Sequence, residues 1–457
     1  MVSNPSIERP VILQIEHGLG GGVAKHVLDL VALLLDRAEF LRLRPNRGGM
    51  LEVSRPSAEF TPALYFRVPQ EIAALTKFLR ASAIGRIHFH HTLRIDGKIT
   101  GFPQALGVPY DFTVHDYYCF CPQITLTTES FQYCGEPDEG GCERCLRIRP
   151  AFTKESIHAW RARNREFVEG ADRVFVPSPS VEQKMRRHFP DATIILASHP
   201  EPVEVTGPPQ PIWRHRGGNL RVVVLGALNA IKGADLLEAS ALDAADRGLP
   251  LEFHLLGDAY RSLSRAANRL TVHGKYKDGD LPILLQRLAP DLIWFPARWP
   301  ETYSYTLSAA LREGLPVAAT NLGAIHDRLA GRALSWALPW SASEPEWNDF
   351  FMKLRSDPLL GDGYRVAETG SHTVPFSYSS DYLLKQPPGI ARSGIGRDFD
   401  SFRNPLRASP SVLAQYIKGC ARDCLSAVYR LPGVRRLAIA AFPEHRLQLL
   451  RRWLDKF

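Results

Sequence analysis

No apolar run in the chain approaches about 18 residues, so nothing in it reads as a transmembrane helix. The opening residues, MVSNPSIERPVILQIEHG, lack the basic flank and long apolar core of a signal peptide, so the chain reads as cytoplasmic. Cysteine is scarce and odd in number, with seven in 457 residues and five of them between Cys119 and Cys145. Without an export signal, that count argues against a disulfide scaffold. Charge of one sign is not in general excess. Residues 401–457 carry 11 Lys/Arg against 3 Asp/Glu, which accounts for the whole net charge of +8. The remainder is near neutral, which disfavours nucleic acid as a partner and confines any anionic-surface contact to the tail. Two phosphate-binding signatures are also missing. GLGGGVA (18–24) lacks the Gly-x-Gly-x-x-Gly spacing of dinucleotide sites, and no Gly-Lys-Ser/Thr follows it. What is present is ordinary: 45% hydrophobic and 23% charged residues, which excludes collagen, a coiled-coil rod and a wholly disordered chain. The length suits two or three domains of about 150 residues.

The pattern that fills this length is alternating strand and helix. VILQIEHG (11–18) is a short apolar strand candidate running into Gly18, Gly20, Gly21 and Gly22. The helical stretch after it places Val23, Val27, Leu30, Leu34 and Leu35 near one face. Glycines there either let the backbone approach a ligand, with helix N–H groups facing an anion, or make a tight packing turn. Further strand candidates are RIHFHH (86–91), VPYDFTVHD (108–116) and DRVFVPS (172–178), with helices around 70–83 and 155–170. The pattern restarts at NLRVVVLG (219–226). It continues through LEFHLLG (251–257), LTVHG (270–274), DLIWFP (291–296) and PVAAT (316–320). Helices are expected near 233–247, 260–269, 280–288 and 304–314. Repeated βα units predict parallel sheets with helices on both faces. The Pro/Gly-rich segment TGPPQPIWRHRGGN (206–219) reads as a linker between two doubly wound halves. Ligands in such folds bind at the carboxyl edges of the strands, in a cleft between the halves.

The cysteine cluster has metal-ligand spacing. Cys142 and Cys145 form a Cys-x-x-Cys pair, and Cys134 with Cys121 completes a tetrahedral thiolate set. Cys119 is the alternative to Cys121, and a redox pair or simple buried thiols are the alternatives to zinc. Four thiolates leave no open coordination position, so this zinc is structural, stapling a polar, turn-rich insert at 119–145.

Taken together, several segments resemble the retaining glycosyltransferases of family 4, which have the GT-B fold. They are VVVLGALNAIKGADLL (222–237), LEFHLLGD (251–258), PETYSYTLSAALREGLPVAATNLGAI (300–325) and GLGGGVAKHV (18–27). The segment VHDYYCFCP…YCGEP…CERC (114–145) is similar to a bacterial subgroup that makes cell-surface polysaccharide. The resemblance spans roughly residues 11–365 and rests on the order and spacing of the motifs as a set. It implies two Rossmann-like domains facing across a cleft, an acceptor-side domain at 1–208 and a nucleotide-sugar-binding domain at 209–365. Residues 366–457 then make a return segment, a linker and a basic helical tail.

The resemblance also implies roles. Lys232 matches the lysine that meets donor phosphate, where an ammonium neutralises charge on the departing diphosphate. The arginine that usually accompanies it is replaced by Ala227, after Gly226, and Arg328 is the nearest substitute by motif. Glu301 matches the first glutamate of a paired motif, as a donor-binding group. The second falls on Ala309, which removes a ribose acceptor. The hydroxyl run Thr302, Tyr303, Ser304, Tyr305 and Thr306 reads as a pyrophosphate cradle and as a capping turn, two roles that can hold together. His115 and Asp116 match a cleft pair that meets sugar hydroxyls and developing charge. His17, Lys25 and His26 lie by the glycine loop, His26 on a helix face that turns it toward protein. Retention needs no strong base, because the leaving phosphate takes the acceptor's proton. Double displacement would want a carboxylate, and Asp116 and Glu301 are the only motif-linked ones.

Beyond about residue 365 the pattern fades. SYSSDYLLK is read as part of a C-terminal return onto the N-terminal half, and 386–411 as turn-like. HRLQLLRRWLDKF (445–457) stripes Leu447, Leu450, Leu454 and Phe457 beside arginines, suiting peripheral contact with anionic lipid at the inner face of the membrane. The partners implied are a nucleotide-sugar donor and a glycan or polyprenyl-linked acceptor, with no strict catalytic metal. Two other classes stay open: an idle GT-B protein acting as an assembly partner, and a nucleotide-sugar epimerase.

Overall fold

Runs of valine, isoleucine and leucine without polar alternation become parallel strands, because such strands are covered on both faces. The computed structural model describes residues 9–46, 49–56, 63–151, 155–201, 209–266, 268–366 and 376–384. These fall into two compact units, one of Met1–Thr113 with Tyr378–Phe457 and one of Val114–Ser377.

In the first unit, β1 (Val11–Ile15) leads into α1 (Gly21–Leu34), and β2 (Glu39–Pro45), β3 (Leu51–Ser54) and β4 (Leu64–Phe66) follow. Then come α2 (Ile72–Ala81), β5 (Ile84–Phe89), two short helices, α3 (Gly97–Thr100) and α4 (Phe102–Leu106), and β6 (Tyr110–Thr113). The strands lie in the order β4-β3-β2-β1-β5-β6. β2, β1, β5 and β6 pair in parallel, whereas β3 and β4 join antiparallel. α1 buries Val23, Val27, Leu30, Val31 and Leu34, whereas Leu35, the residue after its last turn, is exposed. The short helix Tyr378–Asp381 belongs to this unit, and Tyr382 hydrogen-bonds His88 Nδ1 at 2.8 Å.

The second unit begins with α5 (Glu139–Ile148), α6 (Ile157–Glu169), β7 (Arg173–Val176), α7 (Pro179–His188) and β8 (Ile194–Leu196), with β7 and β8 parallel. Residues 209–219 carry no helix or strand before β9 (Leu220–Leu225), while 206–208 lie outside the described residues. After β9 come α8 (Ala234–Asp246), β10 (Leu251–Leu256), β11 (Leu270–Val272), α9 (Leu281–Leu288) and β12 (Leu292–Phe295). α10 (Tyr305–Arg312), β13 (Val317–Thr320), α11 (Gly323–Leu329), β14 (Ser335–Leu338) and α12 (Glu344–Ser356) complete the unit. The helix anticipated near 260–269 is only a 3₁₀ turn at Ser264–Ala266. Strand order is β11-β10-β9-β12-β13-β14, every pair parallel. That order steps outward from β9 in one direction and then the other, as in doubly wound nucleotide-binding folds. Alternate strand residues confirm two covered faces. Val222, Val224, Trp294 and Ala318 enter one core with α8 and α12, whereas Val223, Leu225, Ile293 and Ala319 enter another with α9, α10 and α11.

Segment 386–457, with the basic tail and Cys420 and Cys424, lies outside the described residues. Among the described residues no helix is long and apolar enough to cross a membrane.

Candidate functional site

The direction of chain progression reverses between β9 and β12, and a parallel sheet opens a crevice at the carboxyl ends of such strands. The loops that follow these two strands carry Lys232 and Glu301. Asn229 Oδ1 accepts the Lys232 backbone N–H at 3.0 Å, capping the 3₁₀ turn Ala230–Lys232. The turn is pressed against the β12 loop: Arg298 N donates to Ile231 O at 2.7 Å. Gly233, at φ 87°, has Pro296 O where a Cβ would stand 2.3 Å away. Across this seam Lys232 Nζ lies 3.4 Å from Glu301 Oε1, the lysine side chain 42% exposed and the carboxylate 9%. A largely buried carboxylate thus aims a solvent-facing ammonium.

Gly226 ends β9 at φ 101°, and a Cβ there would lie 3.3 Å from Thr306 Cγ2 at the start of α10. The glycine turn therefore abuts a helix N-terminus, where backbone N–H groups are unpaired by the helix itself. Ser304 Oγ caps that helix by accepting from Leu307 N at 3.3 Å.

The hydroxyl run is engaged with protein. Thr302 Oγ1 donates to His115 O at 2.5 Å, Tyr303 OH to Glu201 Oε1 at 2.6 Å, and Tyr305 OH lies 3.4 Å from His199 Nδ1. Ser304 Oγ and Thr306 Oγ1 pair at 3.1 Å. Ser304 thus makes the capping turn, and the run extends it into a staple that gathers His115, His199 and Glu201. Arg328 belongs to the same network. Its guanidinium donates to Ser304 O at 2.8 Å and Ser308 Oγ at 2.7 Å, and stacks 4.4 Å from the Tyr303 ring centre. Two of its nitrogens are thereby committed to protein. Ala309 is packed into the apolar core. No carboxylate stands at that position.

His115 follows β6 in sequence, and its backbone is tied to the Glu301 loop through Thr302. Asp116 Oδ1 accepts from Tyr118 N at 2.9 Å. His199 and Glu201 were not legible beforehand, since SHPEP is no recognised pattern. The His199 ring sits 5.0 Å from His115 and 4.4 Å from Tyr303, and Glu201 also accepts from Arg312 Nη1 at 2.7 Å and from Ser308 Oγ. Burial, then the neighbouring His115 and Arg328, hold the His199 imidazole well below the usual histidine range. Burial pushes the Tyr303 phenol up to about 12.

A depressed histidine gives a signed prediction. The folded state refuses a proton that the unfolded chain accepts near pH 6.5, the ordinary value. Stability from this group is complete above that pH and is lost as pH falls beneath it, by at most about 1.4 kcal/mol per pH unit. Urea midpoints between pH 7.5 and 5 should fall, and His199→Gln should flatten that slope; an unchanged slope would refute the assignment.

The glycine loop belongs to the first unit. Gly18 makes a packing turn, with Pro45 O 2.3 Å from a would-be Cβ. Gly20 and Gly21, at φ 79° and 68°, have open space beside them, and Gly22 lies in the first turn of α1. The packing-turn reading therefore holds at Gly18. His17 Nδ1 accepts from Leu19 N at 3.0 Å, Lys25 pairs with Asp29 at 3.0 Å, and His26 is buried 5.0 Å from the His90 ring.

The five cysteines of the insert separate. Cys119 is buried with Sγ 3.7 Å from Met185 Sδ, while Cys121, Cys134, Cys142 and Cys145 line one cavity of about 270 Å³.

The fold and this crevice define a mixed α/β protein on parallel sheets, with Rossmann-like halves of the GT-B class. No family model matches the sequence, and neither does any curated protein. Among solved structures, the chain is similar to sucrose-phosphate synthase from Thermosynechococcus elongatus, with 16% identity, 77% of this chain and 91% of that one covered, and TM-score 0.50. It is also similar to HepE from Anabaena in complex with UDP-glucose, with 13% identity, 86% and 99% covered, and TM-score 0.49. The lipopolysaccharide outer core galactosyltransferase WaaB gives 13% identity, 92% and 99% covered, and TM-score 0.48. At these identities the first likeness supports the fold.

Proposed function

We propose that the chain is a retaining family 4 glycosyltransferase, moving a sugar from a nucleotide-sugar donor to a glycan or polyprenyl-linked acceptor in surface polysaccharide synthesis, lipopolysaccharide included. The single observation that carries the reading is the Lys232–Glu301 pair, 3.4 Å apart, at the point where strand order reverses. On this reading residues 1–208 serve the acceptor and 209–365 the donor, and the tail at 401–457 touches anionic lipid at the cytoplasmic face.

In the reaction, the bond from the anomeric carbon to the donor phosphate oxygen breaks and a bond to the acceptor oxygen forms on the same face. The acceptor's proton passes to the leaving phosphate. Lys232 stabilises the charge that grows on that phosphate. Glu301 holds the ammonium in place and accepts from sugar hydroxyls, and His115 with Asp116 orients the transferred sugar. Backbone N–H groups at the start of α10 face the diphosphate from the Gly226 side.

Binding and hydrolysis of UDP-, GDP-, TDP- and ADP-sugars, with and without Mg²⁺, test this reading. Selective binding of one donor, lost in both Lys232→Ala and Glu301→Ala, is the expected result. If no donor binds, Ala227 and Ala309 mark real losses and an assembly role replaces catalysis.

A further inference from the structure

We infer that Cys121, Cys134, Cys142 and Cys145 form a closed four-thiolate zinc site that staples the insert. The inference is independent of the glycosyltransferase reading. Its basis is that these four thiols border one cavity of about 270 Å³, and Cys119 does not. The structure thus chooses between the two neighbours flanking Phe120.

A cation stands beside one of these sulfurs: Arg161 Nη2 lies 3.5 Å from Cys142 Sγ. N–H groups and cations around metal-bound sulfur are the usual outer support of a thiolate site. Coordination of a dication by these thiols releases their protons to solvent. Four thiolates around Zn²⁺ leave a net charge of 2−, and the cavity wall carries Arg161 and Arg187 together with Glu136, Asp138 and Glu139.

The insert needs such a staple. α5 buries none of its residues. Ile124, Leu126, Phe131 and Glu136 take positive φ of 71°, 54°, 61° and 53°, which non-glycine residues hold only under outside constraint. All five cysteines of the insert are free thiols, so no disulfide supplies it. Among the described residues no three of these sulfurs stand within 4.8 Å of one another. Coordination at about 2.3 Å therefore draws them inward by side-chain rotation.

The full chain is purified without chelator and its metal content measured, then the ion is exchanged for Co²⁺. About one zinc per chain is expected, and a cobalt spectrum with tetrahedral d–d bands and strong thiolate charge-transfer bands. Cys134→Ser and Cys142→Ser lose the ion, and Cys119→Ala keeps it. Where a serine variant fails to fold, the wild-type chain decides: of its seven cysteines, four should react with a thiol reagent only in step with the release of one zinc. Absence of metal, iron in place of zinc, or an ion retained in the Cys134→Ser, Cys142→Ser double variant would each overturn the site.

Discussion

On the proposed glycosyltransferase reading, Lys232→Ala lowers kcat/KM about 10²- to 10³-fold while the thermal midpoint stays within a few degrees, because an electrostatic group aimed at developing charge is worth that much. The fold does not depend on this side chain. It is half-exposed, and the cap on its turn is made by Asn229 to the backbone, which alanine keeps. Lys232→Arg retains the charge on a longer, planar group and should recover part of the loss. Lys353→Ala, which removes the same charge from the surface of α12, is the control and should leave kcat/KM unchanged. Equal losses in both would mean that net charge, not the placed ammonium, matters.

Gly257→Ala destabilises the protein by on the order of 4 kcal/mol, enough to leave a marginal domain unfolded. Gly257 follows β10 at φ 140°, and an added Cβ would lie 1.9 Å from Gly226 O and 2.6 Å from Gly226 C. Both atoms are backbone, held by the β9–β10 ladder, so nothing nearby can yield. Gly248→Ala separates strain from collision. Gly248 also has positive φ, 62°, but open space beside it, and its replacement should cost only about 1 kcal/mol. Urea midpoints measure both. Similar values would show that the close approach of the two loops is dispensable.

What the sequence revealed of the fold follows the apolar continuity of each strand. β1, β5, β9, β10, β12 and β13 pair on both sides, and each reads as a short apolar run. The strands that escaped notice are β2, β3, β4, β8 and β14. β2 alternates arginine with leucine, and β3, β4 and β8 are only three or four residues long. β14 is an edge strand of four residues. Strands this short or this mixed in polarity carry too little pattern to be told from loops, even where, like β2 and β3, they pair on both sides. At the site, Lys232 and Glu301 were visible because each follows a strand in a recognisable motif. Their pairing was not, nor was the commitment of Arg328 to Ser304 and Ser308. His199 and Glu201 act through contacts with residues about 100 positions away, Glu201 meeting Tyr303 102 positions on. Spacing along a chain cannot report such contacts.

The hydrogen bond from Tyr382 to buried His88 spans 294 positions, and it has a consequence for the order in which the molecule is made. A chain emerging from the ribosome produces β1 through β6 first. Yet the packing of His88 in that sheet is finished by a residue synthesised after the whole of the second unit. Vectorial synthesis thus leaves the earliest-made unit incomplete longest, with its keystone arriving among the last residues described. Translation arrested between Ser377 and Tyr382 yields a second unit free to fold and a first unit still waiting for its closing tyrosine.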